Sequence, residues 1–296
     1  MSSEPTVCLD SLNAVELGVN VPNFGPGTSP ARLREWARVV EGLGYDLLMV
    51  SDHVAITDDV ASQYPAPFFE PFTTLSWLAG VTDRIRLGTT VLIAPYRHPL
   101  LVARMAANLD QLSGGRLVLG VGVGWARQEF EALGADFHQR GSQTDHVLAE
   151  LRRAWADDKD YGGGDIPIWV GGRSTAGMRR AVRFGDAWHP LRERVDWLRT
   201  AMDQLRAIAA AEDRPAPGFA PRILLRLTPD PLPDDSRVAG EGSLEQVLAD
   251  LDVLRELGAQ SVVLDPFIGD PTETERPEVA WQALATIAAH RRQETM

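Results

Sequence analysis

Leu112 to Glu129 reads LSGGRLVLGVGVGWARQE, and the parsing of this stretch decides the fold. Ser113, Gly114 and Gly115 close a helix, Leu117 to Val123 form a short strand, and Gly124 releases the chain into a polar segment. The strand is apolar on both faces, the pattern of a parallel sheet covered on both sides. Glycine stands at every second position, at Gly120, Gly122 and Gly124. Each forgoes a side chain to pack, which a strand tolerates where another backbone or a flat ligand comes close. A tight barrel interior or bulge and a nearby ligand are both compatible with this stretch.

Outward from it, strands and helices alternate along the whole chain. Strands are expected at Glu16 to Pro22, Asp46 to Asp52, Arg86 to Leu92, Leu117 to Val123, Ile166 to Val170, Asp186 to His189, Ile223 to Leu227 and Ser261 to Leu264. Helices are expected between them, including Pro30 to Leu43, which Gly44 ends, Leu100 to Leu112, Thr144 to Ala156, Val195 to Ala211 and a helix from Ser243 to Leu257. The residues after Gly124 read as a polar loop, and Gly162, Gly163 and Gly164 as a hinge or turn. Eight βα units in 296 residues most simply close into an α/β (β/α)8 TIM barrel, with residues 1–14 a tail and 15–296 one domain. An open doubly wound sheet is the alternative, but no GxGxxG joins the first strand to the first helix.

Composition excludes several classes. A formal charge of −12 argues against a nucleic-acid surface, and no apolar run is long enough to cross a bilayer. The opening residues MSSEPTVCLD lack a secretory pattern, so a cytoplasmic protein is expected. Cys8 is the single cysteine, which excludes an internal disulfide, and the six histidines include no pair at helical ligand spacing. No metal is expected. No GxSxG surrounds a serine, and Glu41, Glu70 and Glu129 are candidate acids or bases but too scattered to establish paired-carboxylate chemistry; Glu129 at a helix start reads equally as no more than a favourable dipole contact.

In a barrel the site lies where strands end and βα loops begin. That rule selects Asn20, Asn23, Ser51, Asp52, His53, Thr89, Thr90, Gly124, Trp125, Gln128, Gly171 to Ser174, Trp188 and His189. Gly171, Gly172, Arg173 and Ser174 open a helix and suit a phosphate, through free backbone N–H groups, the helix dipole and the guanidinium; a plain turn capped by Ser174 reads equally. A histidine at position 53 suits proton transfer, with Asp52 holding nearby donors; the bland reading has Asp52 ending its strand and His53 packing in the core.

Four blocks then resemble a known family. EGLGYDLLMVSDHV (Glu41 to Val54), DRIRLGTTVLIAPYRHPLLVARMAANLDQLSGGRLVLGVGVGWARQEFEALG (Asp83 to Gly134), IPIWVGGRS (Ile166 to Ser174) and GDAWHP (Gly185 to Pro190) resemble the luciferase-like flavin and deazaflavin oxidoreductases, most closely the F420-dependent branch. The resemblance implies a (β/α)8 barrel, often a homodimer, with the cofactor at the C-terminal mouth. It implies that Asp52 and His53 lie beside the ring, with His53 exchanging a proton. It implies that Thr90 and Val91 form a non-proline cis peptide and a bulge behind the ring, close to Gly122 and Gly124. Gly171, Gly172, Arg173 and Ser174 would hold the phosphate and Gln128 would meet the ring edge.

Two departures stand out. Trp125 replaces the acidic group of the family's sugar-phosphate dehydrogenases, which points away from that activity and puts an indole beside the substrate. Asp157 to Asp165 is shorter than the family's usual stretch, which predicts an open wall and a bulky substrate, a small molecule or peptide. The resulting expectation is hydride transfer between F420 and an organic substrate, reducing an activated C=C or C=N bond. The alternatives are an FMNH2-dependent monooxygenase using O2, with FMN in place of F420, and a non-catalytic flavin-binding homologue.

Overall fold

The computed structural model describes residues 15–157 and 166–294. Strands β1 (Glu16–Asn20), β2 (Leu47–Val50), β3 (Arg86–Thr89), β4 (Leu92–Ile93), β5 (Leu117–Gly122), β6 (Ile168–Gly171), β7 (Ala187–His189), β8 (Gly218–Phe219), β9 (Arg222–Leu224), β10 (Arg226–Leu227), β11 (Glu241–Gly242) and β12 (Ser261–Asp265) follow in chain order. The α-helices are α1 (Pro30–Leu43), α2 (Asp58–Ala61), α3 (Pro71–Ala79), α4 (Pro99–Ser113), α5 (Arg127–Ala132), α6 (Arg140–Asp157), α7 (Thr175–Phe184), α8 (Val195–Ala211), α9 (Leu244–Glu256) and α10 (Pro277–Glu294). The expected tail, Cys8, the Gly162 to Gly164 turn and nearly all of the Asp157 to Asp165 connection lie outside the described residues.

The main sheet is parallel, in the order β8-β7-β6-β5-β3-β2-β1-β12-β9. Its two ends, β8 and β9, belong to one run of chain, Gly218 to Leu224, interrupted at Ala220 and Pro221. Ala220 N donates to Trp188 O (3.0 Å) and Val263 N donates to Pro221 O (2.9 Å), so this run pairs with β7 on one side and β12 on the other. The ring is therefore closed, with strand positions β1, β2, β3, β5, β6, β7, β8/β9 and β12. That is the expected barrel.

Local chemistry sets the elements. Ser29 caps α1 by accepting from Arg32 N, Pro30 starts it, and Gly44 ends it in the left-handed region at φ 87°. Leu33, Trp36 and Val40 on its inner face are at most 2% exposed, and each contributes on the order of 2 kcal/mol by burial. The strands alternate between two cores: Leu48 and Val50 of β2 face the helices, whereas Leu47 and Met49 join Val118, Trp169, Ala187, Ala220 and Val263. This second cluster is the barrel interior. It fills the lower part of the ring and leaves the strand C-terminal ends to polar side chains.

Two strand expectations and one loop expectation change. Arg86 to Leu92 is not continuous: β3 stops at Thr89, the Thr90–Val91 peptide is cis, and β4 resumes pairing with β5. The seventh strand begins at Gly218 rather than Ile223; Arg226 and Leu227 leave the ring to pair with β11. The polar segment after Gly124 holds α5, and α6 begins at Arg140. Among the described residues no helix is long and apolar enough to cross a membrane.

Candidate functional site

A cavity of about 200 Å³ opens at the C-terminal ends of the strands. Ser51, Asp52 and His53 after β2, Thr90 and Val91 between β3 and β4, Gly122, Gly124 and Trp125 at the end of β5, Gly171 and Gly172 after β6, Leu191 after β7 and Arg222 on β9 line it, with Tyr64 from the connection before α3. Ten of the predicted site residues thus meet at one mouth from distant parts of the chain: Ser51, Asp52, His53, Thr90, Val91, Gly122, Gly124, Trp125, Gly171 and Gly172.

His53 is held by a residue that sequence reasoning treated as a dipole contact. Helix α5 turns Glu129 inward to 0% exposure, and His53 Nδ1 lies 2.6 Å from Glu129 Oε2. Glu129 Oε1 accepts from Val54 N (2.6 Å) and Ala55 N (3.1 Å), and Tyr96 Oη donates to Oε2 (3.0 Å). Burial opposes ionisation of Glu129, but the His53 contact and these donors outweigh it and hold the carboxyl below the usual range. Burial, reinforced by the Glu129 charge, pushes the Tyr96 phenol well above its usual value, so it remains a donor. With Glu129 accepting, His53 carries its proton on Nδ1 and leaves Nε2 unencumbered by that carboxylate. Tyr64 stacks on the imidazole at 5.4 Å, and Trp125 meets it edge-on at 5.7 Å. Trp125 is 43% exposed at the rim.

Asp52 points away from His53. Its carboxylate takes Arg97 Nη1 (2.6 Å) and Nη2 (2.9 Å) as a bidentate pair, and Ile93 N donates to Oδ2 (2.8 Å). Arg97 Nη2 also reaches Glu70 Oε1 (3.1 Å). Burial pushes the Asp52 carboxyl up while Arg97 pulls it back. The pair ties β2 to the segment after β4 and fixes the backbone on which His53 sits.

The opposite wall is a second polar network. His189, fully buried, donates from Nδ1 to Ala220 O (2.5 Å), which leaves Nε2 to accept from the Thr90 hydroxyl (2.9 Å). Burial pushes His189 down to about 4, and the nearby Arg222 charge adds to this. Arg222 Nη1 donates to Thr90 O (2.7 Å) and Thr90 Oγ1 (3.2 Å), while its Nε and Nη2 hold Asp265 Oδ2 at 2.9 and 2.6 Å. Arg192 binds the same oxygen through Nε (2.9 Å) and Nη2 (2.6 Å), and Asn20 Nδ2 donates to Oδ1 (3.0 Å). Burial opposes ionisation of Asp265, but the two guanidiniums lower its pKa.

The glycine strand has a double explanation. A Cβ at Gly120 would lie 2.0 Å from Thr89 O, and one at Gly122 would lie 2.4 Å from Val91 Cγ2. The missing side chains make room for the interrupted β3–β4 strand, whose Val91 then lines the cavity beside Gly122. At Gly120 the neighbour is backbone; at Gly122 it is a side chain that itself borders the cavity.

Other predicted residues fall outside it. Gln128 is exposed on α5, its backbone N donates to Asp59 Oδ2 (3.0 Å), and it does not line the cavity; the helix presents Glu129 inward instead. Ser174 caps α7 by accepting from Gly177 N (3.1 Å). Arg173 pairs with Glu193 (3.2 Å) with its side chain 69% exposed. The Gly171–Gly172 turn faces the cavity, and Arg173 and Ser174 lie beyond it. Among the described residues no group of His, Cys, Asp or Glu is placed to hold a metal ion.

A (β/α)8 barrel with an interrupted third strand, a glycine strand beside it and a histidine–carboxylate pair at the mouth defines the class. The chain belongs to the luciferase-like monooxygenase family, whose model matches residues 15–237. It is 32% identical over 180 residues to an uncharacterized protein of Mycobacterium tuberculosis, an alignment covering 51% of this chain and 62% of that relative's length. It is 29% identical over 232 residues to the F420-dependent glucose-6-phosphate dehydrogenase of the same species, covering 70% of this chain and 67% of the relative. In fold it is similar to the FMN-bound oxygenating constituent of 3,6-diketocamphane monooxygenase from Pseudomonas putida, with a TM-score of 0.70 at 16% identity over 93% of this chain and 97% of that one.

Proposed function

We propose that the protein is an F420-dependent oxidoreductase that transfers a hydride between the deazaflavin and an organic substrate, reducing an activated C=C or C=N bond. The observation that carries this reading is the His53–Glu129 pair at a cavity backed by Val91, Gly122 and the Gly171–Gly172 turn. These residues fit a flat ring. Glycines on β5 and after β6 keep side chains off one wall, Val91 supplies an apolar surface, and the turn into α7 offers a helix start to an anion. Asp52, His53, Thr90 and Val91 would border the ring, and Gly171 and Gly172, with Arg173 and Ser174, would lead to the phosphate.

When bound, F420 supplies the carbon that carries the hydride. The chain supplies the rest. Glu129 holds the His53 ring through Nδ1, so that Nε2 gives the substrate the proton that balances the hydride, and the carboxylate offsets the charge the imidazole carries before that transfer. Tyr64 and Trp125 flank the imidazole and exclude water from one side. An indole at Trp125 provides no acid or base, which favours an apolar substrate group over a sugar phosphate. Glucose-6-phosphate dehydrogenase activity, the activity of the relative above, is not expected.

Fluorescence titration with F420 and with FMN tests the proposal. Tighter binding of F420 is expected, with reduced F420 consumed only when substrate is present. Tight FMN binding with oxygen-dependent turnover and no binding of F420 would replace it with a monooxygenase reading. Tight binding of F420 without hydride exchange across a broad substrate panel would replace it with a non-catalytic one.

A further inference from the structure

Two consecutive residues, Tyr96 and Arg97, each reach a carboxylate at the mouth. The 3-10 turn Ala94–Tyr96 follows β4 directly, and Arg97 N closes it by donating to Ala94 O (3.4 Å). Arg97 neutralises Asp52 with its own charge. Tyr96 brings no charge and instead shares an oxygen: Glu129 Oε2 takes both the Tyr96 hydroxyl (3.0 Å) and His53 Nδ1 (2.6 Å), while Oε1 is committed to Val54 N and Ala55 N. Among the described residues no other side chain donates to Glu129. Tyr96 is half-buried, packs edge-on against Phe130 at 4.8 Å and does not line the cavity, so its influence on His53 passes through Glu129.

A hydroxyl donated to a carboxylate oxygen withdraws charge from it, and the bond is strongest when the carboxylate faces a neutral partner. A proton on His53 compensates Glu129 and weakens the Tyr96 bond; release of that proton strengthens it again. The phenol therefore favours the state in which the proton has left. Burial opposes ionisation of Glu129, and the Tyr96 bond is one of the contacts that outweigh it. The other groups around the pair are already engaged. Asp52 is held by Arg97, which also reaches Glu70, and Asp59 of α2 accepts from Gln128 N and the Thr57 hydroxyl. Tyr64 stacks on His53, and its phenol acts on Arg192 together with Asp265 and Glu273.

Resting on the reduction proposed above, we infer that Tyr96 is a positioning residue that sets how firmly the His53–Glu129 pair holds the proton it delivers: by sharing Glu129 Oε2, it loosens that hold. In the delivery step the Nε2–H bond of His53 breaks and a C–H or N–H bond of the substrate forms. The electron pair for the new bond comes from the C=C or C=N bond whose other end has received the hydride of reduced F420. The imidazole is left neutral against a carboxylate that Tyr96 then binds more strongly.

The test follows the His53 ring by nuclear magnetic resonance as pH is varied, in the full chain labelled at its histidine rings and without cofactor. The His53 signal, one of six, is identified by its loss in His53→Gln. Tyr96→Phe keeps the ring against Phe130 and removes the hydroxyl alone, whereas Tyr96→Met removes both; melting curves check that each folds. The His53 titration midpoint is expected to rise by about half a pH unit to one pH unit in both variants. A rise in Tyr96→Met alone assigns the effect to packing and overturns the inference. So does a midpoint unchanged or lowered in both, or a His53 ring that takes up no second proton while the unaltered chain stays folded. None of these results touches the cofactor reading. Failure of the unaltered chain to bind F420 in a separate fluorescence titration overturns that reading, and with it the delivery step, whatever the midpoint does.

Discussion

The surroundings of His53 and His189 differ in the partner each ring is given. Both histidines are buried at the mouth of the barrel, at 5% and 0% exposure. His53 faces a carboxylate, Glu129, across 2.6 Å, and can take a second proton with its charge compensated. His189 faces a carbonyl and a hydroxyl, with Arg222 nearby, and burial holds it neutral. The same side chain thus serves proton exchange in one place and hydrogen bonding in the other. Residue type does not distinguish them; the charge beside the ring does.

The largest effect expected from this contrast is kinetic. His53→Ala should slow the hydride-transfer step by about 100- to 10,000-fold while F420 affinity changes little, as measured by stopped-flow absorbance. His189→Gln should leave that step within about tenfold of the unaltered rate, once corrected for folded fraction. Equal losses in both variants would dissolve the distinction between the two histidines.

A thermodynamic test addresses the buried neutral ring. Histidine titrates near 6.5 in the unfolded chain and near 4 at His189, so between these values the unfolded state binds more protons. The contribution to stability is therefore complete above about pH 6.5 and is lost as pH falls towards about 4, up to about 3 kcal/mol. Urea denaturation at pH 7 and pH 5 should show this loss, and His189→Gln should flatten it. An unchanged pH slope in the variant would assign the dependence to other groups.

The smallest effect belongs to a residue outside both networks. Arg173→Ala removes an ion pair whose arginine is 69% exposed, and stability should change by less than about 1 kcal/mol in a thermal melt. F420 affinity should fall in the same variant, because the turn would lose its cation. A stability change with no change in affinity would make the Arg173–Glu193 pair purely structural.

Much of this was legible in the sequence. Strand and helix alternation gave the barrel, because period and punctuation are local properties: Ser29, Pro30 and Gly44 announce α1 wherever it packs. The seventh strand was displaced because Pro221, which carries no N–H, made the residues before Ile223 read as a connection, so the strand was expected at Ile223 to Leu227 rather than from Gly218. At the site, Asp52, His53 and the glycines could be placed by strand ends alone. Glu129 could not, because its partner lies 76 residues away and the rotation of a short helix decides whether Gln128 or Glu129 turns inward. Arg222 and Asp265 fell just outside the expected strands at Ile223 to Leu227 and Ser261 to Leu264, and only closure of the ring brings them to Thr90. A charged residue flanking an apolar strand was the available signal for both.

The seam at Ala220 and Pro221 has a consequence for assembly. Residues emerging first from the ribosome carry His53, Tyr96 and Glu129, so the proton-handling side can be complete when the chain has reached only β7. Arg222 and Asp265 arrive with the last strands, and Ala220 O, which fixes the His189 tautomer, is contributed by the segment that shuts the ring. Ring closure and completion of the second wall are thus a single event, and a nascent barrel halted before Gly218 would hold half a binding site.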